Sequence, residues 1–159
     1  MEQYKPHSAR RKIFFATLHK SCRCLATCAE AHITGKRIIV DVGGDWCSYC
    51  CQMDEFFQQY SDLAQLRDDN FVTVAVFYSS ENKNENFLSR YPKVEGIPHF
   101  FVLEKDGSLL HSQHVLDLRS SGAYDPGKMK DFLIKWAPRA VVNGTTNGSS
   151  SDRDAQKRD

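Results

Sequence analysis

The sequence predicts an α/β domain in which a sheet is flanked by helices. The order of predicted segments is a helix followed by β-α-β-α-β-β-α. The first half of this order is a parallel βαβ unit, and the second half is a hairpin followed by a helix. Two cysteines, Cys47 and Cys50, fall where the first strand ends and the next helix begins. That junction is therefore the candidate site.

The composition is that of one domain with tails. The chain has 159 residues, of which 41% are hydrophobic, enough for a core. Its 21 Lys and Arg residues nearly balance 20 Asp and Glu residues. The resulting net charge of +1 argues against binding to nucleic acid through a large positive charge. No apolar run approaches the roughly 18 residues that a membrane span needs. We expect a monomer with no nucleic-acid partner and no membrane span.

The start of the chain predicts a loose segment and then a helix. Residues 1–12 are polar and basic, and apolar residues recur in steps of three or four over residues 13–33. The apolar run that begins at Ile13 stops at His19 and Lys20, which is short for a signal-peptide core. We therefore expect no cleavable signal, and on that ground a cytoplasmic location.

The next segments predict two strands joined by a helix. Residues 38–42 form a near-continuous apolar run, interrupted by Asp41, that is typical of a strand buried on both faces. After Cys50, apolar residues fall on one face of a helix that continues to about Tyr60. Residues 63–67 predict a short helical turn, and the β-branched and aromatic residues 71–78 predict the second strand.

A short helix and a hairpin follow. Residues 85–91 predict a helix that stops before Pro92. Residues 99–103 and 109–113 predict two strands, joined by a turn with the Asp-Gly chemistry of Asp106 and its neighbour.

The last segments predict a capped helix and a tail. Residues 115–123 are expected to be irregular. Asp125 is predicted to cap a final helix that has Pro126 at its first position and an apolar stripe facing the sheet. Residues 138–159 have little to bury and predict a disordered tail. The predicted domain, including its N-terminal helix, therefore spans residues 13–137.

The segment Cys47-Ser48-Tyr49-Cys50 predicts a reactive dithiol. The first cysteine lies where unpaired backbone N–H groups and the positive end of the helix dipole favour an anion. A thiolate is that anion, and it is the nucleophilic form of cysteine. The alternative is a structural cysteine pair or half of a zinc site. No second Cys-x-x-Cys or His-x-x-x-His supplies the other zinc ligands, so we expect no metal site here.

The combined pattern resembles the thioredoxin superfamily. A strand leads into Trp46-Cys47-x-x-Cys50 and a helix, and Ile97-Pro98 precedes a hairpin. The resemblance covers about residues 33–137. The segments VGGDWCSYC and YPKVEGIPHFFVLEKDG look closest to bacterial thioredoxin-family proteins related to the disulfide-reductase domains of the cell envelope. The resemblance implies a thioredoxin-like fold, with a central mixed sheet flanked by helices and here an extra N-terminal helix. It also implies a periplasmic location, against the cytoplasmic one above.

The resemblance implies a catalytic role for three residues. Cys47 would attack a substrate disulfide, and Cys50, expected to be less exposed, would resolve the mixed disulfide. Asp41 would lie buried beneath the dithiol and carry a proton for Cys50. The apolar neighbours of Asp41 favour this interpretation over an aspartate that faces water. Because of Asp41, we predict a thiol–disulfide oxidoreductase that reduces protein disulfides.

The same resemblance implies the partners. No cofactor is expected, because the redox-active disulfide Cys47–Cys50 would carry the electrons. Protein disulfides would be the substrates, and a reductase or a membrane electron donor would regenerate the dithiol. Ser48 and Tyr49 differ from the Gly-Pro of reducing thioredoxins, which leaves the direction of exchange open.

Three further residues are predicted to bind substrate. Pro98 is expected to be cis and to face the dithiol, and the backbone of Ile97 to pair with the substrate chain as an added strand. The alternative for Pro98 is an ordinary trans proline at a strand start. Trp46 is expected to flank the site as an apolar contact, and the alternative is a core tryptophan. His99 follows Pro98 and either approaches the sulfurs or faces away along the strand.

A third thiol raises a second function. Cys47 and Cys51 have Cys-x-x-x-Cys spacing, which resembles copper-delivery proteins on the same fold. Such a metallochaperone needs a histidine near the pair, and His99, His111 and His114 are the candidates. Against it, Cys51 is expected to point away from Cys50 around the helix, toward packing.

The three upstream cysteines are assigned no role. Cys22 falls on the apolar face of the predicted first helix and is expected to be a small buried hydrophobe. Cys24 and Cys28 are four residues apart and could meet on the helix surface.

Overall fold

The computed structural model describes residues 22–139. The predicted loose N-terminus, the predicted first turns of the N-terminal helix and residues 140–159 of the predicted tail lie outside this range. The first helix, α1, spans Cys22–Thr34 and ends before Gly35, whose φ of 69° is the left-handed conformation that glycine adopts at helix ends.

Four strands form the central sheet. They are β1 (Arg37–Gly43), β2 (Phe71–Phe77), β3 (His99–Leu103) and β4 (Leu109–His114), in the spatial order β2-β1-β3-β4. β1 pairs parallel with β2 and antiparallel with β3, and β3 pairs antiparallel with β4. The sheet is therefore mixed, and the predicted fold class is confirmed.

Helices cover both faces of the sheet. They are α2 (Ser48–Gln59), α3 (Ser61–Asn70), α4 (Glu85–Leu88) and α5 (Pro126–Trp136). On one face, α2, α3 and α5 pack on the sheet through a cluster that includes Ile39, Met53, Phe56, Phe100, Val102, Met129 and Phe132. On the other face, α1 and α4 cover Ile38, Val40, Val42, Phe101 and Leu103. β1 contributes to both clusters by strand alternation, which explains its continuous apolar run.

The final helix begins where the sequence predicts. The Asp125 side chain accepts a hydrogen bond from the backbone N–H of Lys128 at 2.9 Å, and Pro126 occupies the first turn. This cap satisfies one of the N–H groups that a helix start leaves unpaired.

Three predicted segments differ in extent. α3 runs for ten residues instead of the short turn predicted at 63–67, and α4 has only four residues instead of the predicted 85–91. The predicted irregular segment contains a 3-10 turn at Val115–Leu118. It then forms a small ribbon of β5 (Arg119–Ser120) and β6 (Ala123–Tyr124), closed by a tight turn. No helix in the described range is long and apolar enough to cross a membrane.

Candidate dithiol site

The first cysteine lies at the N-terminus of α2. Cys47 is the N-cap residue, and its carbonyl accepts the backbone N–H groups of Cys50 and Cys51 at 3.0 and 3.1 Å. Its own N–H donates to the carbonyl of Gly44 at 3.1 Å, which closes the turn between β1 and the helix. The Cys47 sulfur is thus held at the positive end of a twelve-residue helix.

The glycine pair before the site makes room for two side chains. A Cβ at Gly43 would lie 2.8 Å from the Cys50 sulfur, closer than real Cβ contacts allow. A Cβ at Gly44 would lie 2.5 Å from the Trp46 Nε1 atom. Because Gly43 has no side chain, the Cys50 sulfur can pack directly against the end of β1.

Both thiols are buried. Cys47 is 6% exposed and Cys50 is 8% exposed, so the expectation that Cys50 is the less exposed residue is wrong. Burial raises the pKa of Cys50 well above its ordinary value. A hydrogen bond with the Cys47 side chain and the charges of Cys47 and Asp41 raise this pKa further. Cys50 is therefore a protonated thiol at neutral pH in this state.

Asp41 lies beneath the dithiol. It is 6% exposed, and it stands opposite Phe100 in the register of β1 and β3. Directly opposed residues share a face, and Phe100 belongs to the core cluster under α2. The predicted burial of Asp41 is confirmed, and the alternative of an aspartate facing water is wrong.

The proline loop reaches the first sulfur. The Ile97–Pro98 peptide bond is cis, as the resemblance implies, and the alternative of a trans proline is wrong. The Cys47 sulfur lies 4.0 Å from the carbonyl oxygen of Ile97. Pro98 is fully buried, and its carbonyl accepts the N–H of Val115 at 3.3 Å. The structure therefore brings Cys47, Cys50, Asp41, Ile97 and Pro98 together.

Two exposed aromatic residues flank the thiols. Trp46 is 57% exposed, so the alternative of a core tryptophan is wrong, and its Nε1 donates to the carbonyl of Tyr78 at 2.7 Å. Tyr49, between the cysteines, is 40% exposed. Both rings are thus available to a partner molecule while their positions are fixed by contacts with the domain.

Sequence reasoning missed two residues of the site. The Tyr124 hydroxyl donates to the Tyr49 carbonyl at 3.0 Å. The Arg119 guanidinium stacks over the rings of Tyr49 and Tyr124, 4.7 and 5.0 Å from their centroids. One signal was available, because Tyr124 directly precedes the N-cap Asp125. A hydrophobic residue at that position often packs against the fourth residue of the helix that follows, which would bury the Tyr124 ring.

Each of the three candidate histidines has other neighbours, and the Nδ1 atom of His114 lies 3.8 Å from a carboxylate oxygen of Asp117. His99 stands opposite Val42 and therefore faces the side of the sheet away from Asp41. Its Nε2 is 2.8 Å from the hydroxyl of Ser112. His111 stacks on Trp136 with ring centroids 4.5 Å apart. The possibility that His99 approaches the sulfurs is thus wrong.

Neither Cys51 nor Cys28 extends the site. Cys51 is half-buried, and its sulfur lies 3.7 Å from the carbonyl of Asp45, so it points to the preceding loop and not toward core packing. The side chains of Cys22 and Cys24 lie outside the described set, and the side chain of Cys28 is half-buried on α1. Among the described residues, no three His, Cys, Asp or Glu side chains are placed to hold a metal ion together. Within residues 22–139, no histidine is placed to complete a copper site with Cys47 and Cys51.

Comparison with known proteins agrees with this geometry. A family model described as thioredoxin-like matches residues 25–105, about half of the chain. The thioredoxin-like protein HCF164 of the chloroplast in Oryza sativa subsp. japonica is 36% identical over 83 residues, which cover 50% of this chain and 28% of that protein. The chain therefore matches only a part of that relative.

Two solved structures are similar to this chain, and the first of them shares its fold. A disulphide isomerase from Xylella fastidiosa Temecula1 has a TM-score of 0.63 at 19% identity, covering 77% of this chain and 94% of that one. The C-terminal domain of DsbD from Neisseria meningitidis has a TM-score of 0.48 at 20% identity, covering 64% and 84%. With its mixed sheet, its cis proline and its Cys-x-x-Cys pair at a helix N-terminus, the chain belongs to the thioredoxin-like family.

Proposed function

We propose that this protein is a thiol–disulfide oxidoreductase that reduces protein disulfides through Cys47 and Cys50. The observation that carries the proposal is the position of the Cys47 sulfur. It lies at a helix N-terminus, 4.0 Å from the Ile97 carbonyl that precedes the cis proline. A nucleophile and a backbone edge suited to an extended substrate chain are therefore adjacent.

The reaction begins at Cys47. Its thiolate attacks one sulfur of the substrate disulfide, a new S–S bond forms, and the substrate bond breaks. The first substrate sulfur leaves as a thiolate and takes a proton from water. The backbone of Ile97 pairs with the substrate chain during this step, and Trp46 contacts it from the side.

Cys50 and Asp41 complete the reaction. Cys50 transfers its proton to the Asp41 carboxylate and attacks the Cys47 sulfur. The mixed disulfide breaks, and the second substrate sulfur leaves as a thiolate that becomes protonated. Two electrons pass to the substrate, and the protein holds a Cys47–Cys50 disulfide. Asp41 suits this role because it is buried and close enough for its charge to raise the pKa of Cys50.

Regeneration requires a second partner. A dithiol on a reductase or on a membrane electron donor reverses the exchange at Cys47 and restores both thiols. In this cycle the only redox groups are the Cys47–Cys50 pair and the dithiol of the regenerating partner. One copy of the chain supplies all of the protein's own residues that take part.

The proposal is tested by the reduction potential of the pair. The protein is equilibrated against glutathione buffers, and free thiols are trapped and located by mass spectrometry. We expect a disulfide between Cys47 and Cys50 with a potential below that of glutathione. A potential above it would make the protein an oxidant or isomerase and would overturn the reducing direction.

Two variants serve as controls for this measurement. Cys47→Ser removes the nucleophile and is expected to abolish reduction of a protein disulfide. Cys51→Ser removes the neighbouring thiol and is expected to leave the potential unchanged. Absence of a disulfide between Cys47 and Cys50 at every glutathione ratio would contradict the oxidoreductase function itself.

A further inference from the structure

The ribbon of residues 119–124, called here the clasp, lies across the first turn of α2. Its strands β5 and β6 are closed by Ser121 and Gly122, whose φ angles of 50° and 86° make the turn tight. Both ends of the clasp contact the segment that contains the two cysteines, through Arg119 at its start and Tyr124 at its end.

Tyr124 joins the core to the backbone between the cysteines. The residue is 6% exposed, and its ring packs near Phe56 with centroids 6.0 Å apart. From this fixed position, its hydroxyl donates to the Tyr49 carbonyl at 3.0 Å. Because the ring cannot move without disturbing the core, the hydrogen bond restrains Tyr49.

Arg119 adds a second restraint on the same segment. Its guanidinium lies between the Tyr49 and Tyr124 rings, an arrangement that cation–π attraction stabilises. Its Nη1 donates to the Gln52 side chain at 2.8 Å, and another N–H donates to the Gly122 carbonyl. The Arg119 carbonyl accepts a hydrogen bond from Lys128 Nζ at 2.8 Å. The clasp is thus anchored to α5 on one side and to α2 on the other.

The Tyr124 hydroxyl also lies within electrostatic range of both thiols. Burial raises the pKa of Tyr124 well above its ordinary value, and Cys50 and Cys47 raise it further, while Arg119 lowers it. The hydroxyl therefore stays protonated at neutral pH and remains a hydrogen-bond donor in this site.

We propose that Tyr124 and Arg119 are positioning residues for disulfide exchange, which hold the Ser48–Tyr49 dipeptide so that Cys50 stays in place to attack the mixed disulfide at Cys47. This inference rests on the function proposed above. Closure of the Cys47–Cys50 bond is an intramolecular reaction, so its equilibrium and rate follow the effective concentration of one sulfur at the other. A dipeptide that is free to move lowers this effective concentration.

The test compares two variants that each delete one hydroxyl group. Tyr124→Phe removes the bond to Tyr49 and keeps the ring. Tyr60→Phe is the matched control, because its ring also packs against Phe56, with centroids 4.7 Å apart, on the same side of the sheet. The full-length protein is equilibrated against glutathione buffers, which gives the equilibrium constant for closing the Cys47–Cys50 disulfide.

We expect this constant to fall in Tyr124→Phe by about threefold to tenfold, where tenfold corresponds to a rise of about 30 mV in reduction potential. We expect a change below about twofold in Tyr60→Phe. The mixed disulfide with glutathione should also persist longer in Tyr124→Phe after rapid mixing. A merely structural role would lower the midpoint of thermal unfolding in both variants and leave both closing constants alike, which would overturn the proposal.

Arg119 provides an independent test. Arg119→Gln removes the cation between the rings and is expected to lower the closing constant in the same direction. Arg119→Lys keeps the charge and is expected to restore part of it. An unchanged constant in Arg119→Gln would remove Arg119 from the proposal. If the wild-type protein forms no Cys47–Cys50 disulfide, the proposed function fails, whereas a wild-type disulfide with unchanged variants refutes only the positioning role.

Discussion

The Cys47 sulfur lies 4.0 Å from the Ile97 carbonyl oxygen, although the two residues are fifty positions apart in the chain. β1 leads to Cys47 and β3 follows the Ile97–Pro98 bond, and these two strands are hydrogen-bonded neighbours. Because their pairing is antiparallel, the end of β1 and the start of β3 meet at one edge of the sheet. The pairing of β1 with β3 therefore brings Cys47 and Ile97 next to each other.

The first prediction concerns Cys50. In Cys50→Ser, Cys47 can still attack a substrate, but no thiol beneath it can release the product. We expect a protein–substrate mixed disulfide to accumulate on Cys47, detected by mass spectrometry of non-reduced samples. In Cys47→Ser it should be absent. Turnover of Cys50→Ser at the wild-type rate would mean that another sulfur, such as Cys51, resolves the intermediate.

The second prediction concerns Asp41. Burial and nearby charges raise the pKa of Cys50, so this thiol needs a local proton acceptor near neutral pH. We expect Asp41→Asn to slow the resolving step by about a hundredfold, a magnitude typical of general base catalysis. The deficit should shrink as pH rises, because hydroxide then removes the proton. The measurement is the pH–rate profile of the resolving step. Glu55→Gln, on the exposed side of α2, is the control and should leave the profile unchanged. A rate deficit in Asp41→Asn that does not change with pH would contradict the proton-accepting role of Asp41.

The third prediction concerns Gly43. A Cβ there would lie 2.8 Å from the Cys50 sulfur, so Gly43→Ala should lower the free energy of unfolding of the reduced protein by about 1–3 kcal/mol. The cost should be smaller in a Cys50→Ala background, where the sulfur is absent. Denaturant unfolding of the wild type, the two single variants and the double variant measures this coupling. Equal costs in the two backgrounds would show that the sulfur is not the obstacle.

The fourth prediction concerns His99. Burial lowers the pKa of His99 in the folded chain below its ordinary value of 6.5, and His114 contributes in the same direction. The unfolded chain thus binds a proton at higher pH than the folded chain does. The contribution of His99 to stability is complete above about pH 6.5 and is lost as pH falls toward the lower folded pKa.

Denaturant unfolding at about pH 7.5 and 5.5 measures this loss. His99→Gln is expected to reduce the difference in unfolding free energy between the two values. His32→Gln, at an exposed position on α1, serves as control and should leave the difference unchanged. The prediction fails if His99→Gln and the wild type lose equal stability on acidification.

The parts of the site that the sequence predicts are those with local chemical signals. The N-cap position of Cys47, the burial of Asp41 and the start of α5 at Asp125 and Pro126 all follow from residue types in a fixed order. The fold follows too, because the order of strands and helices leaves few ways to bury their apolar faces. The cis form of Pro98 follows from the resemblance alone, since local sequence does not favour it.

The clasp could not be predicted, because a two-residue strand is too short to show any alternation of apolar and polar residues. Arg119 and Tyr124 meet Tyr49 only through tertiary packing. The sequence predicts too short an α3 for a related reason. Leu63 is its only buried residue, so its apolar pattern is too sparse to reveal ten residues of helix. The expected place of Trp46 beside the site is confirmed, but its hydrogen bond to the Tyr78 carbonyl is a tertiary contact that spacing does not reveal.

The place of β1 in the sheet has a consequence for the rigidity of the dithiol site. β1 carries Asp41 and Gly43, and it is bonded to a strand on each side, to β2 and to β3. Its amides can exchange with solvent only when one of two ladders opens, so they should be among the slowest in hydrogen exchange. The strand beneath the dithiol should therefore open only rarely, and under the proposed function a disulfide substrate has to fit its own chain to a rigid surface.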